Sequence, residues 1–374
     1  MSTIGIDARF YGSIGKGLGR YTQKLIEHLE KNDSENEYFV FLRRENFEEY
    51  VPKNPNFQKI LADYGWYSFS EQLFFPRLLH SYKLDLMHFP HFNVPILYFR
   101  KFVITIHDLI LIHFPTKRAT TLGPIWYWIK FCGYKLAIFL AIVRSQKIIA
   151  VSNFTKQDIL SQYPIAKDKT IVTYEACEKD AGKDSEISAQ ILAKYGIIKP
   201  YLLYVGNAYP HKNLEQLISV FKEISNEKKD LNLVLVGKDD YFYNRLKKKV
   251  DQEKIQKVIF PGFVEEADLN SVYEGALVYV FPSLYEGFGL PPLEAMQKGV
   301  PVVSSDSSCL LEILEKSAFF FQAGNDKALN SAINEVSKDE NLRKDLILKG
   351  YRQVKKYSWE KMAKETLDIY MSIE

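Results

Sequence analysis

The chain has 374 residues, enough for two domains that each bury their own core. Hydrophobic residues make up 47% and charged residues 25%, which excludes a disordered chain. The net charge of +3 is too small to single out nucleic acid as a partner, and three scattered cysteines without a CxxC point away from a disulfide or metal framework.

Ile4–Asp7 reads as a first strand rather than the apolar core of a signal peptide, so a cytoplasmic setting is expected. Tyr38–Leu42, Asp85–Phe89, Phe102–Ile106 and Lys147–Val151 follow as further strands, nearly continuous in apolar character. Between them Gly19–Glu30, Ser70–Tyr82, Gly123–Arg144 and Asn153–Gln162 read as helices. The charged stretch Glu178–Glu186 has almost no large apolar residue and reads as a linker. Beyond it the plan repeats. Strands are expected at Tyr201–Gly206, Leu231–Gly237, Lys257–Pro261, Ala276–Phe281 and Val300–Ser304. Helices are expected at Leu214–Ile224, Tyr243–Lys254, Ala267–Tyr273 and Leu293–Lys298.

Strands alternating with helices mean βαβ units. The expected class is therefore α/β, with two Rossmann-like doubly wound domains at 1–180 and 190–357. They are expected to face a cleft at the carboxyl ends of their strands.

Residues 124–144 are apolar and aromatic and approach the length of a spanning helix, but Lys130 and Lys135 interrupt them. Two readings stand level. One is docking on an anionic membrane surface, with Trp126 and Trp128 at the boundary; the other is a long helix packed on the first sheet.

The segment from Phe281 to Met296 carries the most chemical information. A buried strand ends at Phe281, a helix begins near Pro291 or Pro292, and Gly299 closes that helix. The intervening Glu286-Gly287-Phe288-Gly289 loop thus lies at the positive end of a helix, where backbone N–H groups suit a phosphate. Ionised carboxylates only accept hydrogen bonds, so Glu286 and Glu294 suit hydroxyl groups. Phosphate donors beside hydroxyl acceptors describe a nucleotide sugar. The alternative is an ordinary strand-to-helix turn with surface glutamates.

Whole, this segment resembles the E-x(7)-E signature of the group 1 retaining glycosyltransferases, which include glycogen synthase-like and mannosyltransferase enzymes. The resemblance runs over nearly the whole chain. It takes in Ile4–Arg9 with Gly17–Tyr21, Asp85–His91, Thr105–Leu109, Ala150–Thr155 and the closing Tyr357-Ser358-Trp359. It implies a fold of GT-B type whose last helix, 358–374, returns to the first domain. It also implies that Glu286 meets the donor sugar near the reacting carbon, that Glu294 binds the ribose hydroxyls, and that Gly287, Phe288, Gly289 and Leu290 bind the donor.

Val205–Asn213 follows a strand and opens a helix, placing Lys212 as a point charge for a diphosphate; otherwise it is a solvated lysine in the helix's first turn. The family often has Arg where this chain has Asn207, and many members have Arg where it has His211, so neutralisation rests more on Lys212 and backbone amides. Gly15-Lys16-Gly17-Leu18-Gly19 lacks the spacing of a dinucleotide fingerprint. The resemblance instead puts Gly17 beside the donor sugar. His107 ends a strand and is either a hydrogen-bonded core residue or, as the resemblance implies, a partner of the donor sugar. Gly262-Phe263-Val264 resembles the segment whose backbone reads the base.

No D-x-D and no His–carboxylate cluster suggest a metal, so no cofactor is expected beyond the donor itself. The resemblance makes GDP-mannose the first donor expectation, with UDP- and dTDP-sugars open, and a saccharide or lipid-linked saccharide the acceptor. A nucleotide-sugar epimerase, a phosphorylase on the same fold and an inactive sugar-binding subunit are the alternatives.

Overall fold

A computed structural model describes residues 1–115, 124–177 and 185–373. The chain divides into two compact units, Met1–Glu175 with Ser358–Glu374, and Ala176–Tyr357.

The first unit contains seven parallel strands: β1 (Thr3–Asp7), β2 (Glu37–Leu42), β3 (Phe57–Leu61), β4 (Leu86–Phe89), β5 (Phe102–Ile106), β6 (Lys147–Ala150) and β7 (Thr170–Val172). They lie in the order β3-β2-β1-β4-β5-β6-β7. Among them run α1 (Lys16–Asn32), α2 (Phe69–Ser81), α3 (Ile110–His113), α4 (Pro124–Arg144) and α5 (Asn153–Gln162). Every residue of β4 and β5 is buried, because parallel strands carry helices on both faces. The two edge strands were not among those expected. In β3 the alternation of polar and half-buried residues hides the strand, and β7 is only three residues long. Edge strands need less apolar character, and pairing with β2 or β6 rather than local pattern defines them.

The second unit opens with α6 (Ser185–Lys194). Residues 178–184 of the expected linker lie outside the described residues, but Ser185 and Glu186 belong to this helix, whose Leu192 is buried. Six parallel strands follow: β8 (Tyr201–Val205), β9 (Asn232–Val236), β10 (Val258–Gly262), β11 (Val278–Phe281), β12 (Val302–Ser305) and β13 (Ala318–Phe321), in the order β10-β9-β8-β11-β12-β13. The helices are α7 (Leu214–Glu227), α8 (Tyr241–Gln252), α9 (Glu266–Glu274), α10 (Leu290–Gln297), α11 (Leu310–Leu314), α12 (Asp326–Lys338) and α13 (Glu340–Val354). Both sheets therefore reverse strand order beside their first strand, the doubly wound arrangement expected.

The chain ends in α14 (Trp359–Met371), which packs on α1 in the first unit. Met362, Ala363, Thr366, Ile369 and Tyr370 lie in its buried stripe, and α1 buries Tyr21, Leu25, Ile26 and Leu29. Each large apolar side chain so buried contributes about 1.5–3 kcal/mol. Tyr370 also hydrogen-bonds His88 Nδ1, tying α14 to β4.

The same unit buries a charge network that the sequence did not announce. Arg9 is 0% exposed; its guanidinium donates to both oxygens of Asp7 and lies 2.7 Å from Glu71 Oε1. Among the described residues, no helix is long and apolar enough to cross a membrane.

Candidate active site

In the second unit the strand order reverses between β8 and β11, and the loops leaving these two strands meet. Open α/β sheets bind ligands beyond the carboxyl ends of the strands at such a reversal. The loop after β8 turns at Gly206 (φ +151°), where a Cβ would stand 2.8 Å from the Tyr204 hydroxyl. Buried tyrosines brace it: Tyr204 donates to the Asn207 carbonyl and Tyr243 to that of Gly206, each at 2.8 Å. The Asn207 side chain is turned to its own loop, accepting from the Tyr209 N–H at 3.3 Å. Pro210–Lys212 form a 3-10 turn, and left-handed Asn213 then starts α7.

The loop after β11 is held by hydroxyl groups. Leu284 N–H donates to the His211 carbonyl at 2.7 Å, and Glu286 N–H donates to Ser308 Oγ at 3.0 Å. Ser305 and Ser307, from the end of β12, both donate to the Ser283 carbonyl. Ser283 Oγ in turn donates to Glu286 Oε1 at 2.6 Å.

These two loops bring Lys212 Nζ within 2.6 Å of Glu286 Oε1, with side chains only 12% and 9% exposed. Lys212 is thus neither solvated nor in the first turn of a helix. It precedes α7, and its ammonium donates to Glu286 Oε1. His211 adds no positive charge at neutral pH, since burial, helped by the Lys212 cation, pushes its imidazole down to about 4.

Gly289 (φ +91°) precedes α10, which begins at Leu290, one residue ahead of the expected proline. The left-handed backbone there favours glycine, and a Cβ would also press on Leu310 Cδ2 at 2.9 Å. Gly287 is buried, and Phe288 points into the unit, its ring edge-on to Tyr357 at 5.4 Å. Glu294, one turn into α10, accepts from the Tyr273 hydroxyl at 3.0 Å. After β10, the Phe263 side chain is 70% exposed while Val264 is buried.

Two other residues that the sequence singled out, Gly17 and His107, lie in the first unit. Gly17 is exposed in α1, and a Cβ there would meet nothing within 4 Å. The fold instead needs Gly15 and Gly19, where a Cβ would lie 2.1 Å from the carbonyl oxygens of Phe10 and Gly12 respectively. His107 follows β5 with both ring nitrogens engaged, Nδ1 with Glu175 Oε1 at 2.8 Å and Nε2 with the Pro90 carbonyl at 3.0 Å.

Sequence reasoning missed Ser283, Ser305, Ser307, Ser308, Tyr273 and Glu175. The serine run Ser304–Ser308 at a strand end was a usable signal; the others carried none. Among the described residues no three His, Cys, Asp or Glu side chains gather as a metal site requires. Chemically, a lysine and the N–H groups opening a helix can hold a diphosphate, while two carboxylates can accept from sugar hydroxyls.

Residues 190–353 match the family described as glycosyl transferases group 1, and residues 15–178 that described as glycosyltransferase family 4. The chain is 27% identical to O-antigen chain mannosyltransferase B of Escherichia coli, over 95% of both chains. It is 28% identical to the O-antigen chain mannosyltransferase RfbU of Salmonella typhimurium, over 72% of this chain and 70% of the other. Among solved structures, sucrose-phosphate synthase from Thermosynechococcus elongatus superposes with a TM-score of 0.78 at 20% identity, covering 100% and 99% of the chains. Anabaena HepE in complex with UDP and glucose superposes with a TM-score of 0.74 at 16% identity, covering 100% of both. These similarities place the fold in the GT-B type.

Proposed function

The chain belongs to the group 1 glycosyltransferases, and from that premise we propose that it moves a hexose, with retention of configuration, from a nucleoside diphosphate to a saccharide or lipid-linked saccharide acceptor in glycan synthesis. Mannose from GDP-mannose is the donor this reading favours, since similar chains are named O-antigen mannosyltransferases. The observation that carries the reading is the Lys212–Glu286 pair beyond β8 and β11.

A diphosphate entering there competes with Glu286 for Lys212. Donor binding then frees the Glu286 carboxylate to turn toward the sugar, so one event charges the phosphate site and releases the group that faces the reacting carbon. The anomeric carbon–oxygen bond to the diphosphate breaks, the acceptor oxygen bonds on the same face, and its proton passes to the departing diphosphate. Glu294 holds the ribose from α10. No metal takes part: Lys212 and the backbone amides carry the leaving-group charge.

The test is a panel of GDP-, UDP- and dTDP-sugars read by thermal shift, followed by NMR of the product's anomeric linkage. GDP-mannose should raise the melting temperature most, and the product should keep the donor's configuration. An inverted linkage, or stabilisation by UDP-sugars alone, sinks the mechanism or the donor respectively.

The same reading has a peripheral setting in the cytoplasm, on an anionic membrane that presents the acceptor. The side chains of Trp126, Trp128 and Lys130 lie outside the described residues. From Phe131 onward, α4 exposes Leu136 and Phe139. A second apolar surface supports docking more strongly: Phe69 and Leu73 of α2, and Ile96, Leu97 and Phe99 between β4 and β5, are exposed, Phe69 to 90%. Ile96 joins the parts, its N–H donating to Gln72 and its carbonyl accepting from Arg144, each at 2.8 Å. Arg77, Arg100 and Lys101 are exposed around it. Each such cation near an anionic leaflet contributes about 1 kcal/mol.

A further inference from the structure

We propose that Glu175 is a positioning residue that holds the His107 ring with both nitrogens donating, making His107 a fixed cation rather than a proton acceptor. The proposal rests on the glycosyltransferase reading, with His107 beside the donor sugar as the family resemblance implies, only for its effect on turnover; the state of the ring is tested separately.

The geometry leaves little choice. His107 Nδ1 faces Glu175 Oε1 at 2.8 Å and Nε2 faces the Pro90 carbonyl at 3.0 Å. An ionised carboxylate and a carbonyl both only accept. A neutral imidazole has one N–H, so it would point a lone pair at one of these oxygens; the imidazolium satisfies both. The contact with Glu175 is then a charge-assisted bond, roughly twice as strong as a neutral one. It is also sheltered, Glu175 being 6% exposed.

The surroundings agree. Burial pulls the ring toward its neutral form, but the Glu175 hydrogen bond and charge, the Asp108 charge and the Pro90 carbonyl outweigh it and leave the His107 pKa raised. The two neighbouring histidines bring no cation at neutral pH. Burial and the His107 charge push His88 and His91 down to about 3. The Tyr21 ring stands edge-on at 4.8 Å, its phenol kept protonated by burial, and Thr155 Oγ1 donates to the His107 carbonyl at 3.3 Å.

Glu175 reaches His107 because the chain runs on from β7 past β6 to the end of β5, a separation of 68 residues. For the reaction the consequence is specific. With both nitrogens already protonated, the His107 ring cannot take the acceptor's proton, and its contribution is a positive charge fixed before the donor arrives.

The experiment is ¹⁵N NMR of the histidine side chains in the full chain across pH, with the His107 signals assigned by their loss in His107→Gln. In the unaltered protein both His107 nitrogens should be protonated at pH 7. In Glu175→Gln the midpoint should fall by about one pH unit or more, leaving a neutral ring that donates from Nε2 to Pro90. Glu175→Asp should recover part of the shift. A neutral ring at pH 7 in the unaltered protein, or a midpoint untouched by Glu175→Gln, overturns the proposal. Turnover gives the second reading. Loss of a required cation should move the alkaline limb of the kcat profile to lower pH in Glu175→Gln. A ring that responds while the profile stays still would leave Glu175 as positioner and remove His107 from the reaction.

Discussion

Lys212 Nζ and Glu286 Oε1 form an ion pair at 2.6 Å, and in the proposed reading this pairs the cation for the diphosphate with the carboxylate for the sugar. The two mutants should therefore act in opposite senses on the free nucleotide. Lys212→Ala removes the cation and leaves an uncompensated carboxylate, and calorimetry should show nucleoside diphosphate binding at least about tenfold weaker. Glu286→Gln frees the lysine, so the same ligand should bind as tightly or more tightly, while kcat falls by about 10²–10³. Weaker nucleotide binding in Glu286→Gln would mean the pair is not broken by the donor.

Glu294 should report on the ribose, which does not change during transfer. Glu294→Gln is expected to raise the donor KM and weaken the free nucleotide equally, with kcat little changed. Tyr273→Phe removes the hydroxyl that donates to Glu294 and should shift KM in the same direction by a smaller factor. A loss confined to kcat in either mutant would move Glu294 into the chemical step.

Transfer should survive EDTA at full rate. Activity abolished by the chelator and restored by magnesium or manganese would replace the role given to Lys212 by that of a metal.

The apolar surface around Ile96 makes a physical prediction of its own. Flotation with phosphatidylglycerol-rich vesicles should carry the protein at low salt, and phosphatidylcholine vesicles should not. Replacing Phe69 and Phe99 by Ser should release it while circular dichroism and melting stay unchanged, because both side chains are exposed. Flotation that ignores these residues would return the weight to α4.

His88 sets a pH dependence of stability. Its ring is fully buried and is pushed down to about 3, chiefly by burial, whereas in the unfolded chain it titrates near the ordinary value of about 6.5. The unfolded state binds the proton first, so this contribution is present above pH 6.5 and is lost as pH falls toward 3. In that window one such histidine lowers stability by about 1.4 kcal/mol per pH unit. Urea unfolding at pH 7, 6 and 5 should show a slope to which the depressed His91 and His211 also contribute, and His88→Gln should reduce it by the share of one histidine. An unchanged slope in the mutant would place the titration elsewhere.

Much of the fold was legible because burial on both faces forces a strand to be apolar throughout. Phe102–Ile106 was delimited to the residue, and Asn153–Gln162 likewise, with Ser152 capping the helix by accepting from the Thr155 N–H. Glycine and proline punctuation was enough to put Glu286 between a strand and a helix, since a left-handed Gly289 and a proline in the first turn have local causes. What local pattern could not carry is which loops come together. Lys212 and Glu286 stand 74 residues apart, and His107 and Glu175 stand 68 apart. Both pairs exist because the strand order returns distant strand ends to one edge of a sheet. The edge strands β3 and β7 likewise owe their existence to a neighbour. Periodicity records whether a residue is buried; the sheet order, a property of the folded chain alone, decides what it is buried against.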